Sequence, residues 1–163
     1  MAEAADVRAA DTKAADVRAA DMNGLGLTRF MGVESKDSPP GSRELILAPE
    51  ARHLNHNGDV AGPVLFTLAE FAGMGAAVNG LMDVFDRLYV VARDGRISYT
   101  ARAKAAAGPF TASALVEPAR HAACRAAALA GERIELEVPV RITDAQGTLC
   151  AEAVFTAVVR PRR

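Results

Sequence analysis

The chain reads as an α+β protein in which an antiparallel sheet of four or five strands wraps one long central helix. Three observations predict this. Residues 64–82 (VLFTLAEFAGMGAAVNGLM) carry one charge, Glu70, and are apolar around the whole helical circumference, as expected of a helix surrounded by other structure. Downstream, Ile134, Leu136, Val138, Val140 and Ile142 alternate with Glu135, Glu137, Pro139, Arg141 and Thr143, the period of a strand with one buried face. At 163 residues the chain suits one domain with a real core.

Taken in order, residues 4–11 and 14–21 both read AADVRAAD. Val7 and Val17 are the only sizeable apolar groups there, so residues 1–21 are expected to form a low-complexity, disordered tail with nothing to bury. Residues 22–163 are expected to form the domain. The SKDSPPGS stretch marks a loop around Pro39, Pro40 and Gly41, and residues 44–49 suit a short strand. RHLNHNGDVAGP is polar and ends in Pro63, which fits the first turn of the long helix because its missing N–H costs nothing there. Ile97, Tyr99, Ala101 and Ala103 alternate with Ser98, Thr100, Arg102 and Lys104, predicting a strand over 97–104; Phe110, Ala112, Ala114 and Val116 predict another after the Gly108-Pro109 turn. PARHAACRAAALAG favours a short surface helix stopped by Gly131. Residues 144–147 turn the chain into a final strand with Leu149, Ala151, Ala153, Phe155 and Ala157 facing in. Pro139 marks its strand as an edge or a bulge.

Composition narrows the function. Nineteen basic residues nearly cancel 20 acidic ones, so no strong field exists to collect nucleic acid or an anionic membrane. A membrane-spanning reading of residues 64–82 is opposed by the central Glu70 and by the absence of basic residues immediately beside the segment. The two cysteines, Cys124 and Cys150, form no C-x-x-C pair and cannot support a disulfide framework, which points to a reduced, cytoplasmic protein and to structural thiols. His53 and His56, with His121 far away, offer no convincing third ligand, and no metal is expected. No G-x-S-x-G, Walker A or G-x-G-x-x-G pattern occurs.

The positive signal is Glu70. A carboxylate alone on an apolar helix is desolvated, which moves it toward general-base behaviour at neutral pH. Gly62 at the helix start offers an N–H backed by the helix dipole, suited to charge developing on a carbonyl oxygen. The two lie eight residues apart, roughly 12 Å along a helix. They address one substrate only if it lies along the helix or if a partner subunit supplies one of them. The structural alternatives are a Glu70 bonded internally or across an interface, a Gly62 that merely turns, and an Asn55 and Asn57 that merely cap.

The stretch HLNHNGDVAGPVLFTLAEFAGMGAA resembles the N-x-x-G-x-x-H-G-G motif and following helix of hotdog-fold thioesterases of the phenylacetic-acid-pathway type and of an uncharacterised branch of that superfamily. ISYTARAKAAAGPFTASALV and VPVRITDAQGTLCAEAVFTAVV resemble their later strands, so the likeness covers residues 25–160. It implies a hotdog fold and hydrolysis of an acyl thioester, on coenzyme A or an acyl carrier, without cofactor, at a site shared between subunits of a homodimer or homotetramer. The implied catalytic positions are Glu70 as base or nucleophile, Gly62 as oxyanion amide and Asn55 as the polar residue before the helix. Ala61 stands where many relatives have histidine, and Pro63 where many have a second glycine. His56, Asn57, Arg96, Arg102 and Lys104 are candidate substrate contacts, the three cations through coenzyme A phosphates. Two rivals remain: a hotdog dehydratase or hydratase, which needs a histidine near the helix, and a non-catalytic acyl-binding module.

Overall fold

The computed structural model describes residues 26–162. The AADVRAAD echo lies outside the described residues. A short helix α1 (Gly26–Met31) leads into β1 (Val33–Lys36), β2 (Ser42–Leu47), the long helix α2 (Gly62–Val78), β3 (Leu88–Tyr99), β4 (Phe110–Leu115), α3 (Pro118–Ala130), β5 (Ile134–Thr143) and β6 (Leu149–Pro161). The strands form one antiparallel sheet in the order β1-β2-β4-β5-β6-β3. Six strands replace the four or five expected.

α2 begins where Pro63 predicts and lays Leu65, Leu68, Ala69, Ala72, Ala76 and Ala77 onto the sheet. Small residues let it sit close: a Cβ on Gly73 would stand 3.2 Å from Val140, and one on Gly75 3.1 Å from the Arg43 stem. Phe110, Phe155, Leu45, Leu47 and Leu136 fill the sheet's inner face, each buried side chain of this size contributing roughly 1.5–3 kcal/mol. At the far end of α2, Asn79 Nδ2 sits 2.9 Å from the carbonyl oxygens of Ser38, Pro39 and Ser42, which fastens the proline loop to the helix. α3 starts with the Glu117 carboxylate accepting from the Ala119 and Arg120 amides and stops at the left-handed Gly131, as its composition predicts.

The sheet wraps α2 as expected but leaves one side open: Pro63 is exposed, and Phe66, Thr67, Glu70, Phe71 and Met74 are only half-buried, forming one stripe along the side turned from the sheet. Uniform apolarity did not reveal that the sheet covers one side alone. Two expectations need correction. The strand expected over 97–104 starts at Leu88 and ends at Tyr99. Its first half hid because β3 is an edge strand, largely uncovered, with a bulge between Ala92 and Asp94 that breaks the alternation. Arg96 therefore lies on a strand while Arg102 and Lys104 follow it, and the three share no strand face. Pro139, finally, lies in a strand that is interior in the sheet order. Pairing between β4 and β5 stops at Val140, so the missing N–H of Pro139 falls just past the two-sided part of the ladder.

Candidate active site

The loop before α2 is built around Asn55. Its Oδ1 accepts from the Asn57 amide at 2.8 Å and the Asp59 amide at 3.2 Å, and Gly58 takes the positive φ of 74° that closes the turn. The Val60 amide donates to Ala103 and the Ala61 amide to His53, each at 2.8 Å, stitching the loop to the chain beyond β3 and to the turn before it. Arg102 is thereby brought to Asp59, donating from Nε at 2.8 Å and Nη2 at 3.2 Å. That fork holds the guanidinium pKa above its ordinary value, first through the hydrogen bond to Asp59 and then through its charge.

The start of α2 leaves one amide free. An α-helix ordinarily presents several unpaired N–H groups in its first turn. Here Pro63 has none, and the Ala61 carbonyl accepts from both Val64 at 2.9 Å and Leu65 at 3.1 Å. Gly62 N–H has no acceptor among the described residues, so the positive end of the helix dipole is concentrated on a single donor. A cavity of about 450 Å³ opens beside it, lined by Asn55, Asp59, Val60, Gly62, Leu65 and Tyr99, with residues 100–103 completing the wall. The Tyr99 hydroxyl donates to the Gly62 carbonyl at 3.0 Å. Burial raises the Tyr99 pKa, so the phenol stays protonated at neutral pH and remains a donor.

Of the residues expected at the site, the structure gathers Asn55, Gly62 and Arg102 around this cavity. Glu70 does not line it. Its half-buried carboxylate lies two helical turns further on, on the uncovered stripe, with no hydrogen bond or ion pair among the described residues. His56 and Asn57 are exposed at the loop tip, Arg96 is exposed on β3, and Lys104 is exposed beyond the cavity while its backbone bridges Asp59. Neither His53 nor His56 lines the cavity. His53 is 2% exposed, its Nδ1 accepts from the Glu50 amide at 2.9 Å, and desolvation is the first cause of its lowered pKa. No group of three metal-binding side chains occurs among the described residues. No helix among them is long and apolar enough to cross a membrane.

Sequence reading missed Asp59 and Tyr99 as site residues. Asp59 stands in a polar loop that carries no charge pattern, and in the sequence Tyr99 reads only as one position of an alternating strand. Both acquire their place through contacts spanning 43 and 37 residues, for which no local signal exists.

Residues 30–159 match a family described as a domain of unknown function, DUF4442. No curated protein matches the chain. Among solved structures, a Pseudomonas aeruginosa protein of unknown function described as a probable thioesterase is 25% identical, with a TM-score of 0.70 over 85% of this chain and 89% of that one. A Haemophilus influenzae thioesterase is 19% identical, with a TM-score of 0.68 over 85% of each chain. The Escherichia coli PaaI protein of the phenylacetic acid degradation operon is 16% identical, with a TM-score of 0.64 over 86% of this chain and 87% of that one. These likenesses identify the sheet and its long helix as the hotdog fold.

Proposed function

We propose that this chain, which belongs to the DUF4442 family and has the hotdog fold, hydrolyses acyl thioesters as a homodimer whose two sites each combine Gly62 of one subunit with Glu70 of the other. The observation that carries this reading is that Gly62, whose amide has no acceptor among the described residues, lines a cavity at the start of α2. A thioester carbonyl seated in that cavity meets a preorganised donor aimed at the oxygen on which negative charge develops. Glu70 then acts as base, taking a proton from water as the hydroxyl oxygen bonds to the carbonyl carbon. Collapse of the tetrahedral adduct breaks the carbon–sulfur bond, and the departing thiolate recovers the proton. In the nucleophilic variant the carboxylate itself bonds to the carbonyl carbon, the carbon–sulfur bond breaks to release the thiolate, which takes a proton from solvent, and water hydrolyses the resulting anhydride to the acid and free Glu70.

Two features support the dimer. Among the described residues the outer edge of the 12-residue β3 pairs with no strand, and the half-exposed stripe of Phe66, Phe71 and Met74 adjoins it; a Cβ on Gly95 of β3 would stand 3.3 Å from the Phe66 ring. An uncovered edge beside an apolar helix face is a surface that a second copy covers by symmetry. Such a partner, placed against the stripe, is what carries a second Glu70 toward the cavity. The substrate carrier is coenzyme A or an acyl carrier protein, and the proposed location is the cytoplasm.

Hydrolysis of a panel of acyl-CoAs, followed by thiol release, tests the reading. Wild type is expected to turn over and Glu70→Ala to lose at least about a hundredfold in kcat. Absence of turnover by wild type across the panel, or undiminished turnover by the variant, overturns it.

A further inference from the structure

We infer that Tyr99 is a positioning and acyl-selecting residue of this site, an inference that rests on the thioesterase reading above. Gly62 has no Cβ, so sterics alone leave the direction of its N–H loosely fixed. Three hydrogen bonds fix it instead. On one side, the Ala61 carbonyl is held in the helix by Val64 and Leu65; on the other, the Gly62 carbonyl accepts the Tyr99 hydroxyl at 3.0 Å. The residue that carries the free amide is thus clamped at both of its peptide groups, one of them by a side chain from the last position of β3. A preorganised donor requires such support, because a donor that must reorient during the reaction loses much of its effect.

The Tyr99 ring has a second consequence. It packs against the place a side chain on Gly62 would take, its Oη 3.0 Å and Cζ 3.3 Å from that Cβ position, so a larger residue at 62 would press on the ring. With Val60, Leu65 and Ala103 the ring forms the apolar part of the cavity wall, and at 53% exposure it stands at the lip. An acyl group leaving the amide toward solvent passes this ring. The geometry favours short acyl chains that end beneath it, with longer chains obstructed.

Two variants separate the roles. Tyr99→Phe keeps the wall and removes the clamp; kcat is expected to fall about tenfold with KM changed less than about twofold. Tyr99→Ala opens the lip, and the ratio of kcat/KM for octanoyl-CoA over butyryl-CoA is expected to rise about tenfold. As a readout independent of turnover, the amide resonance of Gly62 in a 15N-labelled sample is expected to shift in Tyr99→Phe while the amides of residues 68–77 stay in place. Wild-type kcat and an unmoved Gly62 resonance in Tyr99→Phe overturn the positioning role; an unchanged chain-length ratio in Tyr99→Ala overturns the selecting role. Absence of thiol release by wild type overturns the thioesterase reading, and this inference with it.

Discussion

Gly95 of β3 pairs directly with Phe155 of β6, and the Phe155 ring occupies the place of a side chain at position 95: a Cβ there would lie 2.4 Å from the ring. The same ring meets Phe66 of α2 edge-on, with centroids 5.2 Å apart, and packs over Gly73. One aromatic group therefore joins the edge strand, its neighbour and the helix that carries the proposed site. Gly95→Ala is expected to destabilise the fold by roughly 1–3 kcal/mol through overpacking. Gly26→Ala, where no atom of the described residues lies within 4 Å, is expected to stay within about 0.5 kcal/mol of wild type. Denaturant midpoints at constant slope check both.

His53 sets an acid limit on stability. Desolvation, then the Arg52 guanidinium, depress its pKa below the ordinary 6.5, against the opposing pull of Glu50 and the Met31 backbone. The Glu50 amide donates to Nδ1, a bond the imidazolium cannot accept. The folded pKa lies below the unfolded one, so the contribution is complete above 6.5 and is lost as pH falls from there toward the folded value. His53→Asn keeps an acceptor near the Glu50 amide without titrating. The drop in unfolding midpoint between about pH 7.5 and pH 5.5 is expected to be smaller in the variant than in wild type.

The thiols are expected to be inert in the native state. Cys124 and Cys150 are free and buried, and desolvation pushes Cys124 up to about 11 and raises Cys150 as well. Thiolate is the reactive form, so dithiobis(nitrobenzoate) is expected to modify neither cysteine in the folded protein within minutes and both after unfolding. Rapid native labelling of either contradicts this placement.

How far the sequence foretold the molecule depended on how fully the core covers each element. β5 was readable because Leu136, Val138, Val140 and Ile142 all face the core. The first half of β3 was not, because Arg93 and Asp94 sit at a bulge on an uncovered edge, bonded across the sheet to Glu135 and Thr156. The start of α2 was legible in Pro63, and with it the donor at Gly62. Asp59 and Tyr99 were not legible as site residues, since each meets its partner only after the chain has folded back. The open side of α2 was hidden for a different reason: apolarity around a helix does not tell which side its own sheet leaves open.

Complementation between two inactive chains tests the shared site most directly. Gly62→Pro deletes the free amide and Glu70→Ala deletes the carboxylate, so each homodimer is expected to be inactive. Co-refolded in equal amounts, half of the dimers are mixed, and each mixed dimer regains one intact site, restoring about a quarter of wild-type thioesterase activity. No recovery, in a sample shown to contain mixed dimers of folded chains, contradicts a site built from two subunits.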